Sequence, residues 1–275
     1  MLDRLDRRST TIFTIAGCIF LFGVVLTGAW LYGEHGEVTH LNSRKLAPSL
    51  SHPFGTDWLG RDMLARTLKG LRISLFVGLS AASCSAIIAL ILGLAAATMG
   101  KTIDAVVTLL VDMAMATPHL VLLILIAFAC GGGAKGVIIA VAASHWPSLT
   151  RVIRAEVLQL QSAEYIKLSQ QMGKSRLYIA KKHMLPHVVP QFLIGLLLLF
   201  PHAILHAAAL TFLGFGMSPH TPAVGVLLAE SMRYLSMGLW WLAVTPGIAL
   251  VIAVKAFDIL GSNVRALLDP RTCQE

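Results

Sequence analysis

The sequence predicts an all-α, polytopic membrane protein with six transmembrane helices. Of its 275 residues, 56% are hydrophobic and only 13% are charged, whereas a soluble domain carries roughly 25% charged residues. A soluble globule of this size would need more polar side chains to cover its surface, so lipid is the expected solvent. The four cysteines form no C-x-x-C pair and are expected to be small buried hydrophobes rather than a disulfide scaffold.

Six apolar segments are long enough to span a bilayer, whose hydrocarbon core of about 30 Å requires about 20 helical residues. The predicted spans cover residues 12–32, 73–99, 103–130, 136–153, 188–212 and 239–260. The first segment is too long for a signal-peptide core and lacks a small-x-small cleavage site, so we expect it to remain as an uncleaved span. The chain is expected to divide into residues 1–72, the first span with a long loop, and residues 73–275, which hold the other five spans.

The distribution of basic residues predicts that both termini face the cytoplasm. This orientation places most of the 22 Lys and Arg residues on the inner side, where positive charge resists translocation. The net charge of +8 is then explained by the anionic inner leaflet, without a nucleic-acid partner.

The longest polar stretch lies between the fourth and fifth predicted spans, at about residues 155–187, and is expected to be cytoplasmic. Its pattern predicts two short amphipathic helices. We expect Ser162 and Ser175 to be their N-caps, Gly173 to follow the end of the first helix, and Pro186 to end the second. These helices are too short to form a domain and are the right size for a docking surface.

The sequence carries no recognisable catalytic motif. GKT at 100–102 and GKS at 173–175 match only the end of the phosphate-binding pattern G-x-x-x-x-G-K-[ST], because Ala95 and Leu168 replace its first glycine. The metalloprotease motif H-E-x-x-H and the hydrolase motif G-x-S-x-G are missing. We therefore expect no cofactor and no enzymatic activity in this chain.

Histidines within the apolar spans are candidates for a pore or metal path. Four of the ten lie there: His119, His145, His202 and His206. His202 and His206 are four residues apart and share one helix face, so they are candidate ligands for Ni²⁺ or Zn²⁺. Intramembrane imidazoles can equally hydrogen-bond neighbouring helices, and the sequence leaves both interpretations open.

The stretch HPFGTDWLGRDMLARTLKGLRISL, residues 52–75, resembles a signature of the permease subunits of ATP-binding-cassette importers for dipeptides, oligopeptides and nickel. The matching positions are Gly55, Thr56, Asp57, Leu59, Gly60, Arg61 and Asp62. LVDMAMATP, SHWPSLTRVIRAEVL, TFLGFGMSPHTPAVG and a tail ending in Asp269 and Pro270 resemble further family patterns in the same order. The resemblance covers most of the chain from residue 52 onward.

The resemblance implies a type I importer permease in the cytoplasmic (inner) membrane of a bacterium or archaeon. The partners it implies are a second homologous permease, two cytoplasmic ATPase subunits and an extracytoplasmic substrate-binding protein. It also implies that the loop at about 155–187 carries a coupling helix that docks on an ATPase. The matching docking positions are Glu164, Tyr165, Gly173, His183, Leu185 and Pro186. The sequence departs from the family at Lys167, Leu168 and Ser169, where Glu-Ala-Ala is usual, at His187 and at Val224.

The loop that carries GTDWLGRD is expected to be fixed by its own charges. Asp57, Arg61 and Asp62 are predicted to form a cluster that holds the loop against the outer mouth. Residues 58–71 are predicted to form an interfacial amphipathic helix.

The cargo predicted from these patterns is nickel or a nickel chelate, because the S-H-W and P-H-x-x-x-H stretches resemble the nickel branch more than the peptide branch. A dipeptide or oligopeptide importer is the alternative within the family. The alternative from another class is a stand-alone secondary transporter or channel. The inverted repeat typical of many such transporters is not evident in this sequence.

Overall fold

The computed structural model describes residues 2–32 and 38–268, and this part of the chain is built from helices. The predicted tail motif at Asp269 and Pro270 lies outside the described residues. The helices are α1 (Leu2–Leu31), α2 (Met63–Thr98), α3 (Lys101–Ala116), α4 (His119–Ala129), α5 (Gly133–Gln161), α6 (Glu164–Gln171), α7 (Arg176–Ile179), α8 (Leu185–Phe212), α9 (Val224–Leu235) and α10 (Trp241–Leu268), with a 3₁₀ turn at Leu41–Ser43 and a π-helical turn at Ala180–Met184.

The described helices confirm the predicted fold class. Five of them are long and apolar enough to cross a membrane, and the pair formed by α3 and α4 makes a sixth span if the two are counted together. The run predicted as one span over 103–130 is bent by 101° between α3 and α4. Thr117 has an extended conformation (φ −84°, ψ 142°), because a following proline disfavours the helical region for the residue before it.

The expected interfacial helix over 58–71 is wrong, because α2 begins at Met63 and continues without interruption to Thr98. The Asp62 carboxylate caps this helix by accepting hydrogen bonds from the Leu64 and Ala65 amides at 2.8 and 3.1 Å. Such a cap satisfies two of the four amides that every helix start leaves without partners.

The hydrophobic pattern of the sequence did not predict helix α9. It has 12 residues, too few to cross a membrane, and it buries Val224, Leu227 and Ser231 while Met232 remains exposed. A short amphipathic helix of this kind falls below the length that a hydropathy criterion detects.

Small residues on α2 allow close packing at the centre of the bundle. Ala81, Ala82, Ala86 and Ala89 are fully buried in clusters formed with residues of α5, α8 and other helices. A Cβ atom added at Gly78 would lie 2.4 Å from Ile204 Cγ1 on α8. Helices in lipid associate mainly through such close van der Waals packing, since lipid supplies little hydrophobic drive.

The segment between α5 and α8 differs in two details from its prediction. Ser162 ends α5 and its hydroxyl donates to the Gln159 carbonyl, so it is not an N-cap. Pro186 does not end a helix, because α7, the π-helical turn and α8 run on as one helix over Arg176–Phe212; the second predicted short helix is therefore the start of the fifth predicted span and not a separate element. The predicted N-cap at Ser175 is present, and its Oγ accepts from the Tyr178 amide at 3.2 Å.

Candidate functional site

The buried carboxylate of Asp57 organises the GTDWLGRD loop. Its side chain is 0% exposed, and Oδ1 accepts from the Leu59 and Arg61 amides at 2.8 and 2.9 Å. Oδ2 accepts from Arg61 Nε at 2.7 Å and from Arg66 Nη1 at 2.9 Å. A buried charge is tolerated only with partners of this kind, so the loop is built around one fully bonded carboxylate.

Arg66 extends this network to α9. Its Nη2 donates to Glu230 Oε2 at 2.9 Å, and the Trp58 ring stacks on Tyr234 with centroids 4.6 Å apart. The guanidinium of Arg66 also lies 5.7 Å from the centroid of the Trp58 ring, within the range of a cation–π contact. The predicted cluster therefore includes two members that the sequence did not suggest, Arg66 and Glu230.

Asp62 does not join the Asp57 cluster, because it caps α2. Its other oxygen contacts His52 Nδ1 at 2.8 Å. Thr56 donates through Oγ1 to the Ser43 carbonyl and accepts from the Leu46 amide, which holds the preceding segment in place.

Two glycines of the motif allow the loop's tight turns. Gly55 and Gly60 have φ values of 71° and 77°, in the left-handed region that favours glycine. A Cβ atom at Gly60 would lie 1.9 Å from the His40 carbonyl oxygen.

Helix α6 is anchored to the membrane-spanning helices through its buried side chain, Ile166. Ile166 is fully buried in a cluster with Val157 of α5 and Val188 of α8. The neighbouring Tyr165 and Leu168 are 47% and 58% exposed, and Glu164 is also exposed. The helix thus presents an outer face of mixed polarity, with Tyr165 and Leu168 among exposed polar residues, while Ile166 anchors its inner face.

Gly173 ends α6 in a Schellman motif. Its φ is 75°, its amide donates to the Gln170 carbonyl at 3.0 Å, and the Lys174 amide donates to the Ser169 carbonyl at 3.2 Å. This is the bonding pattern expected of a left-handed residue just past a helix end. A Cβ atom at Gly173 would meet nothing within 4 Å, so within this chain the glycine is required for its conformation and not for close contact.

The remaining predicted docking residues lie next to α6. The His183 ring contacts both Tyr165 and Tyr178, with centroids 6.1 Å apart in each case. Leu185 is half-buried and Pro186 is exposed at the start of α8. The six predicted docking positions thus lie on α6, just past its end, and on the segment that contacts it through His183. We call them the α6 surface: Glu164, Tyr165, Gly173, His183, Leu185 and Pro186.

Three of the four predicted intramembrane histidines meet between helices. His119 begins α4, His145 lies in α5 and His206 lies in α8. Their ring centroids are 4.7, 4.7 and 4.9 Å apart, and one ring nitrogen from each lies within 4.8 Å of the other two. We call this group the histidine triangle.

His202 is outside the triangle. Its Nδ1 bonds to the Leu198 carbonyl oxygen at 3.0 Å, and its backbone carbonyl accepts from His206 Nδ1 at 2.8 Å. His202 and His206 are thus joined through a bond from a side chain to the backbone, and their rings do not form a pair of ligands. The His206 ring instead contacts the rings of His119 and His145 on other helices.

Two ion pairs join α3 to α5 inside the apolar region. Arg154 makes a two-pronged contact with Asp104, and Arg151 pairs with Asp112. The Arg151 and Asp112 side chains are 51% and 55% exposed. Charges within apolar spans normally face protein or water and not lipid.

Proteins with similar sequences are named as permeases of transport systems. This chain is 36% identical over 262 residues to a protein of Brucella abortus biovar 1 named as a peptide transport system permease, covering 94% of this chain and 88% of the relative. It is 32% identical over 253 residues to the dipeptide transport system permease protein of Bacillus subtilis, covering 92% of this chain and 79% of the relative.

A solved structure and a family model agree with these relatives. A chain of the methionine ABC transporter MetNI, solved in inward-facing conformations, matches with a TM-score of 0.60 and 19% identity over 75% of this chain and 98% of that chain. This similarity supports the fold. The model of the binding-protein-dependent transport system inner membrane component matches residues 89–273. The chain therefore belongs to this family of importer permeases, and it is a multi-pass protein of the inner membrane.

Proposed function

We propose that this permease forms half of a translocation path, pairs with a second homologous permease, and is driven by ATP hydrolysis in two separate subunits that bind its α6 surface. A substrate-binding protein delivers the cargo from outside. Both termini and the α6 surface face the cytoplasm. The description of the family supports a transport role that depends on a substrate-binding protein. Which subunits take part, and what each of them does, is our proposal.

The observation that carries this proposal is the attachment of α6. A helix that transmits movement between two proteins needs a buried anchor on one side and an exposed contact face on the other. Ile166 is the anchor, and Tyr165 and Leu168 lie on the exposed face. The anchor lies in a cluster that includes Ala89 of α2 and Val188 of α8. A displacement of α6 would therefore be transmitted directly to the ends of several spans.

The half-exposed pair of Arg151 and Asp112 supports a path or a partner at this face. Hydrocarbon is an unfavourable neighbour for both charges. Water in a translocation path or a polar surface of the second permease would solvate them. A chain that works alone as a transporter would have to close this face by itself.

The cargo we propose is a small peptide. The relatives described above are named for peptides or dipeptides, which favours this alternative over the nickel cargo that the histidine patterns predicted. Nickel, free or chelated, remains a second candidate because one specific observation favours it, the histidine triangle.

The coupling role is tested with Gly173→Arg. A large side chain at this position would project from the α6 surface and block docking. We expect the variant to reach the membrane, lose ATPase subunits on purification and lose cargo-stimulated ATP hydrolysis. Retention of cargo-stimulated hydrolysis would contradict the proposal.

Gly238→Arg is the matched control. Gly238 follows the end of α9 with φ 81° and, like Gly173, has nothing within 4 Å of an added Cβ atom. Both variants therefore pay the same kind of left-handed strain, about 1–2 kcal/mol. Only Gly173→Arg should reduce ATPase co-purification, and equal loss in both variants would attribute the effect to strain.

The cargo is tested in cells deleted for this subunit. We expect such cells to lose growth on dipeptides as the nitrogen source and to keep nickel uptake. Loss of nickel uptake with normal peptide growth would favour the second candidate. Full-rate uptake by the chain alone, reconstituted in vesicles without partners, would instead support a stand-alone transporter.

A further inference from the structure

The histidine triangle lies at a discontinuity in the bundle. His119 is the first residue of α4, directly after the bend that separates α4 from α3. Secondary transporters, a different class of membrane protein, commonly place their ligand sites where a spanning helix is broken. His145 is buried, whereas His119 and His206 are only partly buried, so the triangle is not sealed inside this chain.

Hydrogen bonds fix the orientation of two of the rings. His145 Nδ1 lies 3.0 Å from the Val141 carbonyl oxygen, and His206 Nδ1 lies 2.8 Å from the His202 carbonyl oxygen. A carbonyl oxygen can only accept, so a hydrogen bond at either contact requires the hydrogen on Nδ1. The Ser144 hydroxyl, which donates to the Val141 carbonyl, lies 2.9 Å from His145 Nδ1 and can accept from it as well. The Nε2 atoms of His145 and His206 therefore carry free lone pairs, the arrangement usual for metal-binding histidines whose other nitrogen is held by a carbonyl.

The spacing suits a small metal ion. Two ligands of a tetrahedral ion with bonds of about 2.0–2.1 Å lie about 3.4 Å apart, and the three ring nitrogens are already within 4.8 Å of one another. Binding would therefore require the nitrogens to move closer by up to about 1.4 Å. The χ2 torsion of histidine has a broad distribution.

The donor set selects the class of ion. Three neutral imidazoles suit Zn²⁺, Ni²⁺, Co²⁺ or Cu²⁺, whereas Mg²⁺ and Ca²⁺ require oxygen ligands. The triangle contributes no negative charge, so a bound ion keeps its full charge. Three protein ligands also leave a coordination position for water or for a donor atom of the cargo.

We propose that His119, His145 and His206 form a three-imidazole site for a divalent transition-metal ion, with one coordination position left open. This proposal depends on the proposed function in one respect: it places the ion in the translocation path. The ion reaches the site either free or carried by a peptide that keeps one donor atom on it; the three imidazoles are the protein ligands in both cases.

The test is titration of the full-length chain, solubilised with the subunits that co-purify with it, with Co²⁺. Tetrahedral Co²⁺ bound by imidazoles absorbs strongly in the visible range. We expect one equivalent of such absorption and an affinity at least tenfold lower in His206→Ala. His202→Ala is the matched control, one turn away on α8 and outside the triangle, and should bind within twofold of the native chain.

His206→Phe separates metal binding from ring packing, because phenylalanine keeps an edge-to-face contact but supplies no ligand. We expect it to bind Co²⁺ as weakly as His206→Ala. Binding that is unchanged in both His206 variants, or no saturable binding by the native chain either with Co²⁺ alone or with Co²⁺ mixed with glycyl-histidine, would overturn the proposal.

Two further arms identify the source of the ion and separate this proposal from the proposed function. Saturation by Co²⁺ alone supports entry of the free ion, and saturation only by Co²⁺ mixed with glycyl-histidine supports a peptide chelate; neither would overturn the site. Uptake of a dipeptide and uptake of Co²⁺ are measured separately in cells. Intact Co²⁺ binding together with no subunit-dependent uptake would refute the proposed function and leave the metal site standing.

Discussion

Replacing Ile166 with alanine should release α6 from the membrane-spanning helices. Ile166 is the buried residue of this eight-residue helix and is 0% exposed. A helix this short is not stable by itself in water, so its order depends on this anchor. Truncating a buried isoleucine to alanine costs about 2–5 kcal/mol through lost burial and the cavity that remains.

The expected magnitude follows from local opening. If α6 detaches without the rest of the bundle unfolding, a loss of at least about 2 kcal/mol raises the open population about 30-fold. Amide hydrogen exchange over 164–171, followed by mass spectrometry, should accelerate by about that factor. Cargo-stimulated ATP hydrolysis should fall in parallel, because a detached α6 transmits no displacement.

Leu168→Ala is the control for this experiment. Leu168 lies on the same helix and is 58% exposed, so its truncation should leave exchange over 164–171 unchanged. Unchanged exchange in Ile166→Ala would refute the anchoring argument. Faster amide exchange over 164–171 in Ile166→Ala, together with unchanged cargo-stimulated ATP hydrolysis, would refute the proposal that α6 transmits movement to the spans.

Three further changes test the described contacts. Arg66→Met leaves the buried Asp57 carboxylate with one partner fewer, so we expect a loss of about 3 kcal/mol, measured as a lower Tm in detergent and partly recovered by adding Asp57→Asn. Gly60→Ala should abolish the folded yield, because the new Cβ atom would overlap a carbonyl oxygen at 1.9 Å. Gly23→Ala, with nothing within 4 Å, should express normally. Ser175→Ala should cost about 1 kcal/mol and speed amide exchange in α7 alone.

Hydrophobic runs predict where α1, α2, α4 and α8 end to within one residue. They miss the start of α2 and the ends of α5 and α10, because these helices continue past the apolar run into polar sequence. Helix α8 ends at Phe212, as predicted, and α2 ends within one residue of the predicted end. Capping chemistry is local, which is why Gly173 and Ser175 were predicted correctly. The bend between α3 and α4 was missed, although Pro118 in the middle of the apolar run was its signal.

Contacts between distant segments could not be predicted from the sequence. Arg66 and Glu230 are separated by 164 positions, and no periodicity relates them. Helical spacing correctly placed His202 and His206 on one face. The partners of His206 lie on other helices, and only the packing of α4, α5 and α8 brings them together.

The right-angle turn between α3 and α4 exposes peptide groups that hydrocarbon cannot hydrogen-bond. The Thr117 hydroxyl donates to the Ala114 carbonyl and so covers one of them, but Thr117 and Pro118 remain exposed in the chain by itself. Lipid tolerates bare backbone only where protein or water reaches it. A newly synthesised copy is therefore incomplete until something polar shields this corner. We expect copies without partners to be degraded faster than assembled ones.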